Sequence, residues 1–186
     1  MFEDYINNHI KIGEKLKNQL TAVERSYEII KGTLKKNKKI FFAGNGGSAA
    51  DSDHLTAEFV CKFTTKRKPL KAISLTSNSS IITAQSNDFK FKTIFTRQLS
   101  GLSDSGDTVI LMSTSGNSEN ILNCIPLAKK LNLNIIFLTG SNFKNKSLIG
   151  KNNVCLKVPS NETAIIQEYH KVIGHYWCKR IDNDFF

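Results

Sequence analysis

The sequence predicts an α/β fold in which helices cover a mostly parallel, doubly wound sheet, and three observations carry that expectation. Short runs rich in apolar, β-branched and aromatic residues recur at strand length: 39–44 (KIFFAG), 71–77 (KAISLTS), 107–115 (DTVILMSTS), 134–140 (NIIFLTG) and 153–160 (NVCLKVPS). Stretches of helical periodicity separate them, over 47–63, over 79–103 with a break near the SND of 86–88, and over 117–131. Strands that alternate with helices need crossover connections, which make neighbouring strands parallel.

In chain order, the first 33 residues contain no proline and space Ile10, Ile12, Leu16, Leu20, Val23, Tyr27 and Ile30 helically, with Gly32 as the expected terminator. Within 117–131, Ile121, Cys124, Ile125 and Ala128 share one face. Residues 161–182 form a last long helix, for which Asn161 is a suitable cap. The expected organisation is one domain over 1–186, with a helical extension (1–33) leading into an α/β core and final helix (34–186).

A chain of 186 residues buries roughly 70% of its unfolded surface, enough for one full core. Cys61, Cys124, Cys155 and Cys178 match no C-x-x-C spacing, which suggests reduced thiols and a cytoplasmic protein. The opening FEDYINNHIK lacks the basic start and apolar run of a signal peptide. No apolar run approaches the roughly 18 residues of a membrane span. The formal charge of +10 is spread along the chain, and its densest groups, KKNKK (35–39) and KRKPLK (66–71), carry no interleaved aromatics. Nucleic acid is therefore not expected as a partner, and the charge suits a general attraction for small anions.

Ligands of such sheets sit beyond the carboxyl ends of the strands, at the point where strand order reverses. After the first strand comes Gly44-Asn45-Gly46-Gly47-Ser48-Ala49, a turn that opens a helix whose N-terminus favours an anion. It fits the loose dinucleotide pattern G-x-G-x-x-A, but the second strand ends without the acidic residue a ribose needs. After the third strand, Ser113, Thr114, Ser115 and Ser118 surround Gly116 ahead of another helix, a neutral cradle for a phosphate monoester. There is no Walker lysine, so phosphoryl transfer from a nucleotide is not expected. His54 and Glu58 stand four apart on one helix face, where they can share a metal, a substrate or an ordinary surface contact.

AGNGGSAADSDHLTAEF (43–59), SND (86–88), STSGNS (113–118) and IQEYHKVIGH (166–175) together resemble the bacterial phosphoheptose isomerases of the sugar isomerase (SIS) domain family, in order and over essentially the whole chain. The resemblance implies a three-layer α/β sandwich with a five-stranded sheet and a homotetramer in which the terminal helices bundle. It implies conversion of D-sedoheptulose 7-phosphate to D-glycero-D-manno-heptose 7-phosphate, the entry to nucleotide-activated heptose. Ser48, Ser113, Thr114, Ser115 and Ser118 would hold the phosphate, and Asn45, Gly46, Gly47, Asn87 and Asp88 would line the sugar site. His54, Glu58, Gln167 and His175 resemble the family's metal set, one Zn2+ per subunit, with Glu58 and Gln167 also meeting substrate. An amide oxygen is a weak zinc donor, so the ion would be loosely held.

A ketose–aldose conversion needs one group to move a proton at carbon and another to serve the oxygens. Glu58 is assigned the carbon, and His175 the oxygens or ring opening. His170 and His9 match no family ligand and read as surface or bundle-face histidines. Lys62 and Ile165 stand where the family commonly has arginine, which leaves an isomerase of another sugar phosphate as an alternative. A further alternative is a non-catalytic relative that binds a replication-initiator protein; those relatives lack acid/base residues at the positions of Glu58 and His175, which this chain has.

Overall fold

The computed structural model describes residues 1–150 and 153–185. Five parallel strands form one sheet in the order β2-β1-β3-β4-β5, with β1 at Ile40–Ala43, β2 at Ala72–Ser74, β3 at Thr108–Ser113, β4 at Asn134–Thr139 and β5 at Val154–Lys157. β3 and β4 pair from Thr108 opposite Asn134 to Ser113 opposite Thr139. The chain leaves β1 for β2 on one side and returns to β3 on the other, so the strand order reverses between β1 and β3. All five expected strands are present, each shorter than its apolar run because the ladder ends where the flanking turns begin.

Helices α1 (Phe2–Leu16) and α2 (Leu20–Lys35) precede the sheet, and α3 (Gly47–Val60) follows β1. α4 (Ser79–Asp88) and α5 (Ile94–Leu102) lie between β2 and β3, while α6 (Glu119–Leu122) and α7 (Cys124–Lys130) lead to β4. The long α8 (Thr163–Phe185) closes the chain. On one face of the sheet, Tyr27 and Ile30 of α2, Leu55 and Phe59 of α3, and Ile173, Trp177 and Ile181 of α8 pack on Ile40, Phe42, Ile110 and Met112. On the other, Phe95 and Leu99 of α5 and Cys124, Ile125 and Ala128 of α7 pack on Phe41, Val109 and Phe137. Period-two alternation along each strand feeds both layers, giving a three-layer sandwich.

Several expected boundaries differ for local reasons. The leading helix is two helices joined by a 3-10 turn at Lys17–Gln19, and α2 runs through Gly32. It stops instead at Asn37, whose φ of 57° is left-handed; Lys38 N donates to Thr33 O and Asn37 N to Leu34 O, closing the helix end. The 117–131 segment divides at Asn123 because Pro126 has no N–H to offer the Leu122 carbonyl. Asn161 does not cap α8: Ile166 N donates to Glu162 O, and Ser160 Oγ accepts from Glu162 N. Among the described residues no helix is long and apolar enough to cross a membrane.

Candidate functional site

The two turns singled out in the sequence flank the reversal between β1 and β3. At Gly44 a Cβ would stand 2.5 Å from the Ser48 carbonyl oxygen, and at Gly46 φ is 54°, so glycine is what lets β1 turn directly into α3. Ser48 is buried in the first turn of α3, where its N–H donates to Asn45 O. In the second turn, Gly116 has φ of 73° and its missing side chain leaves room for Phe143 and Thr139. Gly116 N donates to Ser113 Oγ at 3.1 Å, and Ser113 Oγ lies 3.1 Å from Ser118 Oγ. Asn117 N donates to Ser115 Oγ at 3.2 Å. Hydroxyls and helix starts thus meet at the carboxyl end of the sheet, which is where an anion is best received.

Asn45 and Asn120 lock the turns together by reciprocal amide bonds, each Nδ2 donating to the other's Oδ1 at 2.8 Å. Asn120 is buried, and the sequence offered no motif to single it out. Asn87 and Asp88 close α4, with Asn87 Nδ2 donating to Asp88 Oδ1 at 2.8 Å. Asp88 lines a separate cleft of about 720 Å³ with Phe89, Lys90 and Arg97, whereas Asn45 and Gly46 line a small one of about 190 Å³ with Thr76 and Phe95.

α3 and α8 run side by side in the same direction. Gln167 lies against Gly47, Lys171 against Asp51, Gly174 against Leu55, and His175 against His54. His54 Nε2 and His175 Nε2 are 2.7 Å apart, a hydrogen bond that needs one ring to donate and the other to accept. Glu58 Oε1 stands 3.9 Å from His54 Nδ1, and Phe63 packs on the His175 ring at 5.4 Å. Burial lowers the His175 pKa, the neighbouring His54 and Lys171 add to that, and Glu58 and Asp51 oppose it. Glu58, His54 and His175 thus form a row of acid/base side chains along the seam, hydrogen-bonded at its His54–His175 end.

Of the implied zinc set, Glu58, His54 and His175 stand in one row and Gln167 stands apart from them along α8. Gln167 precedes His175 by eight residues, about 12 Å along a helix, and its amide packs at Gly47 rather than at the imidazoles. Glu58 faces Nδ1 of His54, the nitrogen turned away from His175. Among the described residues no three His, Cys, Asp or Glu side chains are grouped to hold an ion.

The two histidines set aside in the sequence have definite places. His170 is not at the surface: it is fully buried, with Nε2 3.3 Å from the Thr139 carbonyl, because its side of α8 faces the carboxyl end of β4. His9 sits between α1 and α8, bonded to Glu168. Lys62 is exposed beyond α3, and Ile165 is buried in a small cluster with Ile12 and Val158.

Comparison with known proteins identifies the family. Residues 4–140 match the SIS domain family. The phosphoheptose isomerase of Akkermansia muciniphila is 38% identical over 187 residues, covering 98% of each chain. That of Clostridium acetobutylicum is 40% identical, covering 99% of this chain and 94% of the relative. The solved phosphoheptose isomerases of Neisseria gonorrhoeae and Francisella tularensis superpose with TM-scores of 0.91 and 0.93 at 32% identity, each over 98% of this chain and 97% of the other. The chain belongs to the SIS domain family and, within it, to the phosphoheptose isomerases.

Proposed function

We propose that the protein isomerises D-sedoheptulose 7-phosphate to D-glycero-D-manno-heptose 7-phosphate. The observation that carries this reading is the pairing of a hydroxyl cradle at the sheet's carboxyl end with the Glu58–His54–His175 row on the adjoining seam of α3 and α8. A non-catalytic binding role leaves that row without a purpose.

In this reading Ser48, Ser113, Thr114, Ser115 and Ser118 bind the phosphate, remote from the reacting carbons, and so position C1 and C2. Asn45, Gly46, Gly47 and Gln167 line the sugar, and Asn87 and Asp88, at the end of α4 beside a separate cleft, are assigned to it by the family resemblance. Glu58 takes the proton from C1 and returns it at C2 through an enediol or enediolate. His175, whose pKa is lowered by burial, exchanges protons with O1 and O2, and His54 orients it.

The deciding experiment is proton NMR in deuterated water with sedoheptulose 7-phosphate, using wild type and Glu58→Gln. Aldoheptose 7-phosphate from wild type alone supports both the reaction and the role of Glu58. A fully active Glu58→Gln protein refutes that role, and no conversion by wild type refutes the isomerase.

Zinc is a separate proposal, placed at the His54–His175 pair with Glu58 and without Gln167 of the same chain. Metal analysis of purified wild type and His54→Ala tests it, with equal zinc content counting against the site. A homotetramer is supported by the apolar side chains of Phe2, Ile6, Ile10, Leu20 and Val172, exposed along the terminal helices. Light scattering after gel filtration measures the assembly, and a monomer refutes it.

A further inference from the structure

Gln167, Lys171 and His175 follow one another at intervals of four along α8 and so form a stripe. It faces Gly47, Asp51 and His54 of α3 as the rungs of a ladder. The outer rungs carry groups already given to the sugar site and to proton transfer, and the middle rung carries none. Yet that rung is built with care for charge. The Asp51 side chain is 2% exposed, its Oδ1 is 3.2 Å from Lys171 Nζ, and its Oδ2 has no hydrogen-bond partner. The Lys171 side chain is 44% exposed, so a buried carboxylate fixes an ammonium whose other N–H donors reach outward.

Resting on the isomerase reading, we infer that Lys171 is a specificity-determining residue: its ammonium, anchored by Asp51, hydrogen-bonds the middle hydroxyls of an extended phosphosugar. Ser48 and His54 are six residues apart on α3, a rise of about 9 Å. A ligand with its phosphate at the first and its carbonyl at the second is stretched along the seam, and its central carbons pass the middle rung. A shorter sugar phosphate that reaches the imidazoles has fewer hydroxyls to offer there. An ammonium, with three rotatable donors, suits a row of hydroxyls of varied direction.

The test uses the full-length protein as Lys171→Met, which keeps most of the length of the side chain and removes the charge, and as Lys171→Arg. Steady-state kinetics are measured with sedoheptulose 7-phosphate and fructose 6-phosphate, with inorganic phosphate as competing inhibitor. The expected result for Lys171→Met is a KM for the heptulose raised about tenfold or more, as for loss of a hydrogen bond to a charged donor. Inhibition by phosphate stays as in wild type, preference over the hexulose falls, and Lys171→Arg recovers most of the affinity. An unchanged KM overturns the inference. So does weakened phosphate inhibition, or a loss of activity that only tracks the unfolded fraction seen by circular dichroism. If wild type turns over neither sugar, the isomerase reading fails, and calorimetric binding of the same heptulose phosphate decides Lys171. Binding weakened about tenfold in Lys171→Met supports it; equal binding, or none to wild type, overturns it.

Discussion

Gln167 fills the space beside Gly47 so closely that a Cβ on residue 47 would stand 2.6 Å from the Gln167 Cδ. This contact joins the first turn of α3 to the first turns of α8 and keeps the Gln167 amide at the glycine turn. Gly47→Ala is expected to leave the fold intact, because a flexible side-chain end can swing aside, but to lower turnover by displacing Gln167. Adding Gln167→Ala to Gly47→Ala should cost little further activity, since both act on one contact. Kinetics of the two single variants and the double variant check this, and independent, multiplying losses count against the coupling.

The hydroxyls of the second turn divide by burial: Ser113 and Ser115 each accept a backbone N–H, but Ser113 is buried and Ser115 is exposed. Ser113 Oγ accepts from Gly116 N, so Ser113→Ala should cost about 1 kcal/mol of stability as well as substrate affinity. Ser115 is exposed, and Ser115→Ala should raise KM while leaving the urea midpoint near that of wild type. Unchanged kinetics in Ser115→Ala would remove it from the phosphate site.

Burial holds the His170 imidazole down to about 4, from an ordinary 6.5, against a smaller opposing effect of its bond to Thr139. Between those values the unfolded chain takes up a proton that the folded chain refuses. Stability is therefore unaffected by this group above pH 6.5 and falls as pH drops from 6.5 towards 4. The slope approaches about 1.4 kcal/mol per pH unit. Urea melts of wild type and His170→Gln at pH 7.5 and pH 5 should show a smaller acid loss in the variant.

Asp182 ties the segment after α3 to α8. Its carboxylate accepts from the N–H groups of Thr64 and Thr65 at 2.8 Å and from the Thr64 hydroxyl and Arg67 Nε at 2.9 Å. Burial alone would raise its pKa, and these donors outweigh burial and bring it down to about 2. The stability it contributes is fully present above about 3.8 and is lost as pH falls through about 2. Arg67→Ala, which strands a buried carboxylate, should destabilise by about 3–5 kcal/mol. Arg67→Lys should recover only part, because the planar fork is lost. Thermal melts at neutral pH measure both.

The sequence by itself determined the elements and the turns. Strand-length apolar runs and helical periodicities gave all five strands and most of the helices, because side-chain period is a local property of the backbone. Gly44, Gly46 and Gly116 announced sharp turns that only glycine permits, and the hydroxyls around Gly116 marked the second as a cradle. Where neighbours in sequence compete for one carbonyl or one N–H, as at Asn37, Pro126 and Ser160, the boundaries escaped the pattern.

Tertiary structure alone decided what meets across distance. It set α3 and α8 in parallel with a register that puts Gln167 at Gly47, Lys171 at Asp51 and His175 at His54. It paired Asn45 with Asn120 and turned His170 inward. Spacing along one helix says which side chains share a face. Which residue of another helix stands opposite is set by how both helices pack on the sheet, through apolar contacts such as Leu55 on Gly174 that carry no signature of the site they align.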